Sequence, residues 1–112
     1  MFAFAVWERR RRWKRIMRPS VALHANREAV RAAVSRRRAA NPRVFGSVLR
    51  GEDQEGSDID ILVDALPGAT LLDLGGLHAE LEQILGVKVD LLTPLELPKR
   101  IRAKVVAEAV AI

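Results

Sequence analysis

The stretch VFGSVLRGEDQEGSDIDILVD, residues 44–64, decides how the rest of the chain is read. Val44-Phe45 begins a short strand, and Gly46-Ser47 turns out of it. Ser47 to about Arg50 has room for one or two helical turns before the polar loop GEDQEGS. Residues 58–63, DIDILV, then alternate and are rich in branched side chains, which predicts a second strand. Alternation places Asp58 and Asp60 on one face of that strand, with Ile59, Ile61 and Val63 on the other.

Downstream, Leu66-Pro67-Gly68 is a turn. Thr70 to Leu85 reads as a helix, with Leu71, Leu74, Leu77, Leu81, Ile84 and Leu85 as its apolar stripe. Gly75-Gly76 inside it costs roughly 1 kcal/mol per glycine relative to alanine, which implies either close packing on a sheet or a break. Gly86 closes the helix, and Val87–Leu92 is a third strand in which Asp90 lies opposite Val87, Val89 and Leu91. Thr93-Pro94-Leu95-Glu96 has the form of a capping box, and a final helix from about Pro98 presents Ile101, Val105 and Val106 on one face.

Upstream, Ser20 is the expected N-cap of a helix reaching about Arg38, with Leu23, Val30 and Val34 at helical spacing. Its arginines, among them Arg31, Arg36, Arg37 and Arg38, form a solvated face. Asn41-Pro42 ends it, because a residue before proline avoids helical geometry. The order helix, strand, strand, helix, strand, helix predicts an α/β (α+β) fold: a small mixed β-sheet flanked by helices.

A chain of 112 residues has room for one domain, and 49% apolar with 29% charged residues is a globular composition. The absence of cysteine excludes disulfides, thiolate metal sites and thiol nucleophiles. No apolar run approaches the ~18 residues of a membrane span. Residues 1–18 carry seven Lys/Arg against one Glu, whereas the remaining 94 residues hold 12 basic and 13 acidic side chains. The basicity is therefore a tail. Residues 1–16 form a basic extension that reverses the order of a secretory signal, and the domain pattern occupies 17–112. The extension could lie on anionic lipid or nucleic acid as an amphipathic helix. A translation start at Met17 is the preferred reading.

If the second and third strands are neighbours in register, Asp58, Asp60 and Asp90 converge on one side of the sheet. Three such charges repel strongly unless cations occupy the site. An oxygen-only donor set suits Mg²⁺ or Mn²⁺, and two ions ~3.5–4 Å apart would activate an attacking oxygen and steady a leaving pyrophosphate. Gly46-Ser47 supplies close backbone approach and a hydroxyl for phosphate.

With these residues in place, the stretch 44–64 resembles the signature of DNA polymerase beta-type nucleotidyltransferases, G-S followed by ten residues and D-x-D. Within that superfamily the chain is similar to the minimal nucleotidyltransferase antitoxins, single-domain proteins found beside HEPN ribonuclease toxins. The similarity runs from about Met17 to the C-terminus and includes Gly46, Ser47, Arg50, Gly51, Ser57, Asp58, Asp60 and Asp90. It implies the nucleotidyltransferase fold and a Mg²⁺-dependent transfer of AMP from ATP to a tyrosine of the partner toxin, in the cytoplasm. It implies further that Gly46 and Ser47 hold phosphates, with Arg50 and Ser57 as further nucleotide-binding residues. Asp58, Asp60 and Asp90 are implied as metal ligands and catalytic groups, Asp90 also drawing the acceptor's proton.

Plainer readings stand beside these. A lone D-x-D means little without the upstream Gly-Ser and the third aspartate. Arg50 could pair with Glu52 or Asp53 on the surface. Glu52, Asp53 and Glu55 read as a solvated loop, Asp64 as a turn residue, and His78 as a half-buried helical histidine. No Walker-A lysine, dinucleotide glycine fingerprint or HExxH helix is present. Two other functions remain open: a non-catalytic antitoxin acting by direct binding, and transfer to a small molecule or an RNA end. The near-neutral body speaks against nucleic acid as the main partner, and no membrane partner is expected.

Overall fold

The structure, a computed structural model, describes residues 18–112; the basic extension lies outside them. The chain runs α1 (Pro19–Ala25), α2 (Arg27–Arg36), β1 (Ala39–Phe45), β2 (Ile59–Ala65), α3 (Leu71–Leu85) and β3 (Val89–Leu92). A 3-10 turn (Pro94–Glu96), α4 (Lys99–Glu108) and β4 (Val110–Ala111) complete it. The strands make one mixed sheet in the order β3-β2-β1-β4, with β2 and β3 parallel and the other pairs antiparallel. The parallel pair needs a long crossover, and α3 provides it.

The apolar face of β2, Ile59, Ile61 and Val63, is wholly buried against Val30, Ala33 and Val34 of α2 and Leu77, Leu81 and Leu85 of α3. Burying each such aliphatic side chain contributes roughly 1.5–3 kcal/mol. The opposite face is only partly open. Leu62 and Leu97 are buried there, where the 3-10 turn packs on β2.

Several expectations are corrected. The first helix begins at Pro19, whose fixed φ suits the first helical position, so Ser20 is not the N-cap. It also breaks at Asn26 (φ −120°, ψ 19°), whose amide group bonds the Ala22 carbonyl at 2.8 Å and competes with helix continuation. Strand β1 starts at Ala39, well before Val44. It absorbs Asn41-Pro42 as an irregularity between Ala40 and Arg43, since proline cannot donate to the ladder.

Helix α3 runs unbroken through Gly75-Gly76. A Cβ on Gly76 would meet the Arg37 guanidinium at 2.5 Å, so the close packing is against the residue that caps the end of α2 rather than the sheet. Arg36 and Arg37 both reach Glu80 from the end of α2; the Arg36 hydrogen bond comes first among the causes holding the Glu80 carboxyl below its usual range. Thr70 and Asp73 form a reciprocal capping box at the start of α3. Leu71 belongs to the expected stripe but is 88% exposed, because the first helical turn extends past the core.

Strand β3 begins at Val89 instead of Val87. The final helix buries no residue, and Ile101 and Val106 are exposed. Arg102 ties it down through the carbonyls of Pro94, Leu95 and Leu97. Strand β4, absent from the sequence reading, pairs with Arg43 and Val44 and leads into the buried Ile112. Among the described residues no helix is long and apolar enough to cross a membrane.

Candidate active site

Register brings the carboxylates together. Asp60 of β2 lies directly opposite Asp90 of β3, close enough for the Asp90 carboxyl to act on that of Asp60. Burial first, then the Asp90 carboxyl, then the charge of Asp58, push Asp60 up to about 6; Arg50 opposes the shift. Asp58 precedes the strand and is exposed. Among the described residues no three His, Cys, Asp or Glu side chains are gathered into a finished ligand set for a metal ion. Asp60 and Asp90 therefore form the pair at the centre of the three expected carboxylates, with Asp58 at its margin acting through charge.

The donor chemistry nevertheless fits a divalent cation. Two facing carboxylates, one of them holding its proton to an unusually high pH, form a site whose repulsion a hard cation would relieve.

Gly46 is seated against this pair. Its φ is +75°, and a Cβ there would fall 2.1 Å from Asp60 Oδ2. No other residue type meets both conditions. From Gly46 the chain makes a tight turn: the Arg50 N–H donates to the Gly46 carbonyl at 3.1 Å and the Glu52 N–H to that of Ser47 at 2.9 Å. Within the described residues, the N–H groups of Ser47, Val48 and Leu49 donate to no protein acceptor. Successive unpaired amides make a concavity suited to an anion.

Arg50 makes the surface pair considered for it, its Nε donating to Glu52 at 3.1 Å, and its charge also acts on Asp60. Ser57 closes the loop before Asp58, its hydroxyl accepting the Gln54 N–H at 2.9 Å. Asp64 lies within β2 rather than in a turn, where Asn41 and Arg43 donate to it.

Two contributions escaped the sequence reading. Asp53, expected in solvent, is buried, and its Oδ2 accepts the Ser20 N–H at 2.9 Å. A helix that opens on Arg18-Pro19 with no cap of its own was the available signal. On β3, His78 Nε2 lies 2.7 Å from the Val89 carbonyl oxygen, and Glu82 accepts the Val89 N–H at 2.9 Å. These two side chains of α3 fix the backbone beside Asp90. His78 is half-buried on its helix, as expected.

Residues 27–112 match the family model described as Nucleotidyltransferase domain. The chain is 46% identical over 67 residues to a candidate protein adenylyltransferase of Methanocaldococcus jannaschii, covering 60% of this chain and 72% of that protein. It is 45% identical over 67 residues to protein adenylyltransferase MntA of Thermococcus cleftensis, covering 60% and 68%. A solved structure of a candidate minimal nucleotidyltransferase superposes with a TM-score of 0.75 at 45% identity, over 83% of this chain and 95% of that one.

Proposed function

The chain belongs to the nucleotidyltransferase domain family, and from that premise we propose that it transfers AMP from ATP to a tyrosine hydroxyl of a HEPN-type ribonuclease toxin, acting as its antitoxin in the cytoplasm. The observation that carries this reading is the register pair Asp60 and Asp90 with the Gly46 turn seated on it. The similarity to protein adenylyltransferases supports a protein acceptor.

In this mechanism the open amides after Gly46 and the Ser47 hydroxyl bind the β and γ phosphates, and Arg50 offsets their charge. Ser57 serves the nucleotide by holding the loop closed. Asp58, Asp60 and Asp90 would hold Mg²⁺, or Mn²⁺ in its place, which would supply Lewis-acid stabilisation of the phosphate oxygens. The Asp90 carboxylate takes the proton of the acceptor hydroxyl. The oxygen bonds to the α-phosphorus as the bond to the bridging oxygen of pyrophosphate breaks, and pyrophosphate leaves.

Intact mass of the partner toxin after incubation with this protein, ATP and Mg²⁺ tests the proposal. One or more added AMP units, absent with Asp60→Ala, is the expected result. A stable complex with no mass change would move the assignment to a non-catalytic antitoxin.

A further inference from the structure

We propose that Asp53 is a positioning residue, clamping the loop between Gly46-Ser47 and Asp58 onto the first turn of α1 and so holding the phosphate-binding turn in its bound shape before ATP arrives. The inference rests on the nucleotidyltransferase reading of the site and extends it to a residue that touches neither nucleotide nor metal.

The geometry is that of a cap supplied from a distance. Helix α1 has no side-chain cap from Arg18, and Pro19 has no N–H, so the Ser20 N–H is the first donor needing a partner. Asp53, 33 residues away in sequence, provides it at 2.9 Å. Arg18 Nη2 stands 3.7 Å from its Oδ1. The Asp53 side chain is 0% exposed, and Oδ1 has no hydrogen-bond partner, so its charge is held by placement rather than by solvent. A buried carboxylate kept in this way is a strong tether.

The tether acts on the right segment. On one side, the Glu52 N–H is bound to the Ser47 carbonyl, which makes 47–52 a closed turn ending at the tether. On the other, Gln54 and Ser57 close a second turn that delivers the chain to Asp58. Without Asp53 the segment between β1 and β2 keeps Val48 against the core as its anchor in the first turn, and the stretch leading to Asp58 loses its tether to α1. ATP would then have to order that stretch, and the cost would appear as weaker binding.

The test uses the full chain, with α,β-methylene-ATP and Mg²⁺ as probe. In Asp53→Ala, amide hydrogen exchange of residues 46–57 should accelerate in the nucleotide-free protein while the exchange of β2 and α3 holds. The Kd for the probe should rise about tenfold, the size of one lost charge-assisted cap. Asp53→Asn keeps an acceptor for the Ser20 N–H without the charge, and should recover part of both effects; it also serves if the alanine variant does not fold. Unchanged exchange at 46–57, or acceleration spread evenly over the sheet, overturns the clamp. So does an unchanged Kd. If the wild-type chain itself fails to bind the probe, the proposed function falls, and the exchange pattern still decides whether Asp53 holds the loop.

Discussion

At Gly46 two independent constraints meet: a left-handed backbone and a neighbouring carboxylate where a Cβ would be. Gly46→Ala should therefore cost about 1–3 kcal/mol in stability, from backbone strain and displacement of Asp60. AMP transfer should fall by at least a hundredfold in the fraction that remains folded. Chemical denaturation and a transfer assay measure the two effects separately; near-normal transfer would show that the turn tolerates being moved off Asp60. The placement of Asp60 and Asp90 on one face was legible from sequence, because alternation within a strand is local and fixes which face each side chain takes. Asp53 was not legible. Its partner Ser20 is 33 positions away, and polarity alone placed it in solvent.

Among the elements, α3 shows how a local rule and a tertiary contact divide the labour. Gly75 and Gly76 both carry the helical penalty of glycine, but only Gly76 faces an obstacle, the Arg37 guanidinium. Gly75→Ala should stabilise the protein by about 0.5–1 kcal/mol. Gly76→Ala should gain less, because Arg37 must swing away and weaken its bond to Glu80. Urea denaturation midpoints of the two variants provide the comparison, and equal gains would show that the Arg37 contact has no energetic weight. Periodicity found α3 because its core-facing side chains, from Leu74 to Leu85, repeat over about three turns. It misjudged α4, whose Ile101, Val105 and Val106 share a spacing but face no core; Arg102 holds that helix through backbone carbonyls instead. The two-residue strand β4 and the break at Asn26 left no pattern long enough to read.

Across the whole molecule, two aspartates, Asp53 buried and Asp60 half-buried, set opposite limits on stability. Burial works against the Asp53 charge, but the bond from Ser20 and the charge of Arg18 outweigh it and hold the carboxyl below its usual range. Its contribution is present above the ordinary aspartate value and is lost as pH falls through the lowered one. Asp60 runs the other way. Its contribution is present below about pH 4 and is lost as pH rises through about 6, leaving the metal-free protein under strain at neutral pH. Asp60→Asn should accordingly raise Tm at pH 7.5 in a chelator, with the difference shrinking toward pH 4.5. Mg²⁺ should raise the Tm of the wild type and not of the variant. Identical melting curves at pH 7.5 would show that the carboxylate pair stores no repulsion.

The borders of the sheet have a bearing on how the molecule meets other chains. The outward N–H of Val89 is already taken by Glu82, and its carbonyl lies against His78, while the far border is a strand of two residues backed by the buried Ile112. Among the described residues, neither border strand is long enough to offer a foreign strand an extended run of vacant ladder positions. Edge-to-edge polymerisation is thus blocked at the strand that carries Asp90. A lasting complex is therefore built more readily from side chains on the faces and helices than by adding a strand at Val89.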